Sequence, residues 1–287
     1  MPPRIAIATC REYPVLLDDD QPLVAGLAAR GVVAETVLWD AERDWSRYAA
    51  VLLRSVWDYY QRPQEFLAWL ELLERRGVSL WNPVALVRWN ADKRYLRDLE
   101  ARGIAIPPTL WIEPADAPEA ALERMLATGW ADLVVKPTIS GSAWRTRRLR
   151  RAEVPEQGAF LREVLSASAA MVQPFLPEIL SAGEVSLLFF GGVFSHAVVK
   201  RPRAGDYRVQ WTHGGTQTRF EPDAQLVAQA QAVLEAAPSA GLYARVDGIL
   251  EGERLVLMEL EQIEPYLYLA ECPGAAERFV AALCARL

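Results

Sequence analysis

Three carboxylates stand on otherwise apolar chain near the C-terminus: Asp247 within "ARVDGIL", and Glu259 and Glu261 within "LVLMELEQIEP". Both stretches read as strands joined by a turn at Glu251-Gly252-Glu253. Side chains alternate along a strand, so Glu259 and Glu261 share one face. Hairpin pairing predicts Asp247 as a diagonal neighbour of that pair, roughly 7–8 Å away. Clustered acid on strands that expect burial needs a positive partner. Oxygen ligands in this number suit Mg²⁺, which takes one or two carboxylates together with substrate phosphates. The alternative is an exposed acidic strand face with Arg245 as its ion-pair partner.

Two lysines supply opposite charge. Lys93 lies in "WNADK" at the start of a helix, and Lys136 ends the apolar strand "DLVVK" ahead of the small-residue loop "TISGSAW". A lysine at a strand end beside such a loop can hold phosphates, with loop N–H groups as further donors. The segment has no G-x-x-x-x-G-K-[ST], so it is not a P-loop, and no G-x-G-x-x-G follows the first strand. Between the lysines and the acids, "MVQPFLPE" runs from a strand into Pro-punctuated extended chain. Its backbone can meet a purine edge, and Glu178 can accept from ribose hydroxyls; an ordinary linker is the other reading. "AVVKRPRAGDYRVQWTHGG" then carries Lys200, Arg201, Arg208 and His213-Gly214-Gly215, cations spaced to meet phosphates or a carboxylate. With His196 and His213 as the two histidines, a histidine-bound metal is not expected. Serine-triad chemistry lacks a G-x-S-x-G.

Elements must bring these groups together. "RIAIATC", "VVAETVLW", "YAAVLLRSV" and "VSLWNP" read as strands separated by helices in "DDDQPLVAGLAARG", with Asp20 as N-cap, and in "PQEFLAWLELLERRG". That alternation predicts a parallel sheet with right-handed crossovers. Ligands gather at the carboxyl ends of such strands, where "TCRE" and "RSVWDY" lie. The middle mixes helices with the strands "DLVVK" and "AMVQP". The last third is strand-rich, with a hairpin turning at Gly191-Gly192. The formal charge of −6 provides no overall field for nucleic acid, and "RTRRLRR" reads as a solvated loop or strand face. Cys10, Cys272 and Cys284 lack disulfide or metal spacing, and no apolar run approaches the ~20 residues of a membrane span. These features predict a soluble cytoplasmic protein without nucleic-acid or membrane partners; homo-oligomerisation stays open.

Taken in order, "NADK", "VVKP", "VQPFLPE", "GEVS", "VVKRPRAGDYR" with "HGG", "RVDG" and "MELEQIEP" resemble the ATP-grasp superfamily of carboxylate–amine ligases. The likeness runs from Asp20 to Tyr268 and is closest to the branch holding glutathione synthetase and the ribosomal-protein glutamyl ligases. The ordered set carries it, since no single motif is specific. It implies an α/β plus α+β protein: an ATP-grasp fold with an N-terminal Rossmann-like parallel-sheet domain (1–88), a central subdomain with a phosphate-covering loop (89–175) and a C-terminal subdomain with the metal site (176–287). In this likeness Lys93, Lys136 and Glu184 serve the nucleotide, and Ser140, Gly141 and Ser142 form the covering loop. Gln173, Pro174, Phe175 and Leu176 read adenine, and Glu178 binds ribose. Asp247, Glu259 and Glu261 hold Mg²⁺, two ions; the family usually has Asn where this chain has Glu261, which adds a charge at the metal. Lys200, Arg208 and Arg245 contact phosphate or an acyl-phosphate intermediate.

"ATCREYP", "RSVWDYYQRPQEFLAWL" and "LWNPVALVRWNADKRYL" resemble a smaller group that includes the D-cycloserine synthetases. That likeness implies ATP-dependent activation of a small amino-acid carboxylate, in an O-ureido-D-serine-like substrate, followed by ring closure. It places Arg54, Trp57, Asp58, Tyr59, His213, Gly214 and Gly215 at the substrate, with interdomain packing as the other use of Trp57 and Tyr59. A glutathione-synthetase-like or peptide-modifying ligase, or a nucleotide-binding protein without turnover, are the rival readings.

Overall fold

The computed structural model describes residues 2–287. Strands β1 (Arg4–Thr9), β2 (Val33–Leu38), β3 (Ala50–Leu53) and β4 (Leu80–Trp81) form a parallel sheet in the order β2-β1-β3-β4. Helices α1 (Gln21–Ala29) and α2 (Pro63–Arg75) make crossovers between them. Every residue of β3 is buried, as a central strand covered on both faces requires. Asp20 holds the N-cap position of α1, yet its side chain makes no cap bond. It pairs instead with Arg54 Nε at 2.8 Å. Arg54 is buried at the end of β3 and needs a countercharge, whereas Pro22 in the first turn of α1 has no N–H to cap.

Helices α3 (Val84–Asn90) and α4 (Tyr95–Ala101) follow, and residue 88 lies inside the former. Strand β5 (Leu110–Ile112), helix α5 (Pro118–Ala127), strands β6 (Asp132–Pro137) and β7 (Arg147–Arg150), helix α6 (Gly158–Leu165) and strand β8 (Ala170–Pro174) build a second sheet. It is antiparallel, ordered β5-β8-β6-β7. The basic run falls on the edge strand β7, where Leu149 points inward and its arginine neighbours are exposed. Charge on an edge discourages further strand pairing.

The third sheet contains β9 (Glu184–Phe190), β10 (Val193–Arg201), β11 (Thr216–Phe220), β12 (Tyr243–Glu251) and β13 (Arg254–Glu261). It is antiparallel, ordered β11-β10-β9-β12-β13. A short helix α7 (Glu178–Ser181) leads in, and α8 (Ala224–Glu235) packs on β12 and β13. Gly191 and Gly192 both have positive φ, 60° and 81°, as a two-residue hairpin turn of the twist-matched type demands. The closing helix α9 (Ala275–Cys284) returns to the first sheet. It lies so close to α1 that a Cβ on Gly26 would be 2.8 Å from Val280 Cγ2. Ile5, Leu23, Phe190, Tyr243, Phe279 and Leu283 share one core, so the C-terminal segment is packed into the N-terminal one rather than cored alone.

Candidate active site

Strand β13 is a sheet edge, and its outer backbone groups would be orphaned without side-chain partners. Asn90 supplies them: its Nδ2 donates to the Leu260 carbonyl at 2.7 Å and its Oδ1 accepts from the Gln262 N–H at 2.8 Å. The Leu260 N–H donates to Tyr95 Oη at 2.9 Å. Asn82 similarly donates to the carbonyls of Tyr243 and Gln262, both at 2.8 Å. The strand carrying Glu259 and Glu261 is thereby fixed to the chain that carries Lys93.

The register differs from the sequence expectation. A bulge between Asp247 and Gly248 sets Asp247 directly opposite Glu259, not diagonal to it, and Arg245 opposite Glu261. Gly248 is required there, because a Cβ would lie 2.7 Å from the Val256 carbonyl. Lys93 Nζ is 2.9 Å from Glu259 Oε1 and donates to the Ser140 carbonyl at 2.5 Å. Lys200 Nζ pairs with Asp247 at 3.0 Å and also with Glu184. Arg245 bonds both oxygens of Asp247, reaches Glu261, and donates to the Tyr266 carbonyl at 3.0 Å. Ser186 Oγ donates to Asp247 at 2.6 Å.

These groups surround a cavity of about 430 Å³ between the second and third sheets, roofed by residues of the first unit. Burial disfavours the charged form of Asp247, but Arg245 and Lys200 overcome it and hold its carboxyl down at about 2. Burial also opposes ionised Glu259, and Lys93 with Lys136 still keeps it below the usual carboxylate range. Glu261 goes the other way: burial, with Glu259 and Asp247 nearby, pushes it up to about 7 despite Arg245. Burial pushes Glu264 up to about 8, with Glu261 adding to the effect. Lys136 makes no ion pair among the described residues, and burial lowers its pKa from the ordinary lysine value.

Among the described residues no three His, Cys, Asp or Glu side chains converge as a metal cage. Arg245, Lys200 and Ser186 bond both oxygens of Asp247. Glu259 and Glu261 also line the cavity, and at Glu261 burial, with Glu259 and Asp247 nearby, outweighs Arg245. Two carboxylates completed by phosphate oxygens match the way Mg²⁺ is held, so the donor set fits that ion.

The other expected residues divide. Ser140, Gly141 and Ser142 face the cavity, with Ser142 in a positive-φ conformation (49°). Gln173, Pro174, Phe175 and Leu176 line the same cavity, as does Arg208, paired with Asp206 at 2.8 Å. Trp57, Tyr59 and His213 also line it. Arg54 does not. Its guanidinium is consumed by Asp20 and, at 3.0 Å, by the Pro265 carbonyl, so it staples the first unit to the chain after β13. Asp58 points elsewhere as well, accepting from Trp39 Nε1 at 2.7 Å and pairing with Arg62. Gly214 and Gly215 shape the loop rather than the wall: Gly214 has φ 81°, and a Cβ on Gly215 would meet the Val209 carbonyl at 2.1 Å. Glu178 is outside the wall, with Oε2 buried and unpartnered. Sequence reasoning missed Tyr60, Ile249, Met258 and Glu264, which do line the cavity. Ile249 was legible in principle, two residues beyond Asp247 on the same strand face.

Two antiparallel sheets that hold lysines against carboxylates across one cavity, preceded by a small parallel sheet, are the architecture of the ATP-grasp ligases. The family described as "D-cycloserine synthetase DcsG, N-terminal domain" matches residues 5–82. The cycloserine biosynthesis protein DcsG of Streptomyces lavendulae is 34% identical, across 94% of each chain. The crystal structure of D-cycloserine synthetase DcsG is similar with a TM-score of 0.89 at 31% identity, over 99% of each chain. D-alanine–D-alanine ligase from Bacillus anthracis shares the fold, with a TM-score of 0.70 at 16% identity over 98% of this chain and 95% of its own. The chain belongs to the DcsG family of ATP-grasp ligases. No helix among the described residues is long and apolar enough to cross a membrane.

Proposed function

We propose that this protein is an ATP- and Mg²⁺-dependent ligase that activates the carboxylate of a small amino acid for attack by an amine-type nitrogen. The substrate class we favour is an O-ureido-D-serine-like amino acid whose own nitrogen closes the ring, as the name of its relative D-cycloserine synthetase suggests. One observation carries this reading: Lys93, Lys136, Lys200 and Arg245 face Asp247, Glu259 and Glu261 around a single cavity.

In this reading Lys136 and Lys93 bind the ATP phosphates, and the 140–142 loop covers them. Phe175, Leu176, Ile249 and Met258 offer apolar surface for the adenine, beside backbone polar groups at Gln173–Leu176. Glu259 and Glu261 would hold Mg²⁺, which supplies charge neutralisation to the phosphates. The substrate carboxylate attacks the γ-phosphorus and ADP departs. The nitrogen then attacks the carbonyl carbon of the acyl phosphate, the C–O bond to phosphate breaks, and inorganic phosphate leaves carrying the proton that the nitrogen gives up. In this reading Arg245, held in the cavity wall by Asp247, stabilises the oxyanion of that second step. Such chemistry depends on positioning and charge more than on a protein nucleophile. Trp144 packs against Tyr60 with ring centroids 5.6 Å apart, which seats the covering loop on the first unit, where in this reading it would keep water from the intermediate.

The test is a screen of amino acids and ureido-amino acids for phosphate and ADP release. Release that requires both an amino acid and Mg²⁺ supports the reading. ATP binding without release under any substrate would leave a nucleotide-binding protein instead.

A further inference from the structure

Deepening that reading, and resting on it, we propose that Glu264 and the aromatic side chains at its end of the cavity form the subsite for the ammonium group of the amino-acid substrate. Four other carboxylates in the wall have a lysine or arginine partner within the described residues: Glu184 and Asp247 share Lys200, Arg245 serves Asp247 and Glu261, and Lys93 serves Glu259. Glu264 lines the same cavity, half-buried; among the described residues no lysine or arginine forms an ion pair with it, and Lys93, paired with Glu259, acts on it only from further away. A carboxylate removed from water without a cation is costly, and a cation arriving with the substrate relieves that cost.

Its backbone is held rigidly. Tyr243 Oη donates to the Ile263 carbonyl at 2.8 Å, Trp57 Nε1 to the Glu264 carbonyl at 2.9 Å, Arg54 to the Pro265 carbonyl at 3.0 Å and Arg245 to the Tyr266 carbonyl at 3.0 Å. A side chain carried on such a segment is preorganised to bind. The first unit contributes no lysine or arginine to the wall before Lys93; it gives Glu12, Tyr13, Trp57, Tyr59 and Tyr60. Tyr13 and Trp57 stand edge to face with centroids 4.9 Å apart. Aromatic faces beside an unpaired carboxylate attract an ammonium ion, and the carboxylate repels a phosphate. The cavity is therefore polar in sense. Its cations come from β6, β10, β12, Lys93 and Arg208 in the loop after β10, and its unpaired acidic groups, Glu12 and Glu264, from the roof and the segment after β13; aromatic side chains line both parts, with Phe175, Tyr207 and Trp211 on the cationic side. An amino acid bound between them directs its carboxylate to the cations and its ammonium to Glu264. Glu12, the other unpaired carboxylate of the wall, is exposed at the rim.

The experiment compares the protein with its Glu264→Gln, Glu264→Asp and Glu12→Gln variants. The probes are O-ureido-D-serine and its des-amino counterpart 3-(ureidooxy)propanoate, with KM read for each and for ATP. Loss of one charge-assisted contact predicts a rise of about 10- to 100-fold in the amino-acid KM of Glu264→Gln, with the ATP KM unchanged. The des-amino probe should show no such rise, Glu264→Asp should recover part of the loss, and Glu12→Gln should change little. An equal effect of Glu264→Gln on both probes, no effect, or transfer of the loss to Glu12→Gln overturns the subsite while leaving the ligase reading intact. Absence of phosphate release by the unaltered protein with either probe and with the amino acids of the wider screen overturns both.

Discussion

Lys93 and Glu259 stand 2.9 Å apart, joined across the cavity as an ion pair, while Lys136 faces the same space with no such partner among the described residues. The two lysines therefore differ in what a substitution removes. Lys136→Met takes away a buried ammonium that burial already disfavours, so the thermal midpoint should hold or rise. Affinity for Mg²⁺·ATP should drop by about 10- to 100-fold, the worth of one charge-assisted contact to phosphate. Calorimetric titration with Mg²⁺·ATP reads it directly, and undiminished affinity would remove Lys136 from the nucleotide site.

Glu259→Gln keeps shape and removes charge. Lys93 retains the Ser140 carbonyl as a partner, so most of the fold should survive. Turnover should fall by roughly 100-fold or more, because a ligand to Mg²⁺ is lost where phosphoryl charge develops. Phosphate release at saturating Mg²⁺ is the measurement. Turnover equal to that of the unaltered protein counts heavily against a metal at this strand.

Arg54 looks like a substrate residue in the sequence and is a staple in the structure. It is 3% exposed, and its guanidinium joins Asp20 to the carbonyl of Pro265. Arg54→Met leaves Asp20 as a buried, unpaired carboxylate, which costs about 3–5 kcal/mol. Urea unfolding should register that loss. A variant that kept its stability while failing to bind the amino acid would return Arg54 to the substrate pocket.

Much of the fold was legible because its signals are local. Strand–helix alternation gave the parallel sheet, and Gly191-Gly192 marked a hairpin that forms. The lysines, the 140–142 loop and the acids were singled out by type and order, and all face one cavity. The rest depended on facts that spacing does not encode. The bulge beside Gly248 changes which residue Asp247 faces, and strand alternation alone is blind to an inserted residue. Arg54, Trp57, Asp58 and Tyr59 are near neighbours in sequence, yet two face the cavity and two are bound elsewhere, because the chain after β3 turns irregularly. Glu264 follows the strand in an ordinary-looking Gln-Ile-Glu-Pro, and only the folded chain shows that it lines the cavity without an ion-pair partner among the described residues.

Acid should destabilise the protein in part through His196, which is remote from the lysines. Its Nδ1 accepts from Ser195 Oγ and its Nε2–H donates to the Leu267 carbonyl, each at 2.9 Å, which fixes a neutral ring. Burial, with Arg278 as the charged neighbour and Phe190 against the ring, pushes its pKa down to about 4, although the Leu267 bond opposes the change. The unfolded chain takes up a proton near pH 6.5, and the folded one resists until about 4. His196 thus contributes stability that is whole above pH 6.5 and is lost as the pH falls toward 4. His196→Gln lacks that dependence. The stability difference between the two proteins should therefore narrow by about 2 kcal/mol from pH 7 to pH 5. Asp19, raised to about 6 by burial, acts in the opposite direction over an overlapping range, but it is present in both proteins and cancels from the difference. Urea unfolding of both proteins at the two pH values measures it, and a difference that stays constant would mean that His196 protonates as easily folded as unfolded.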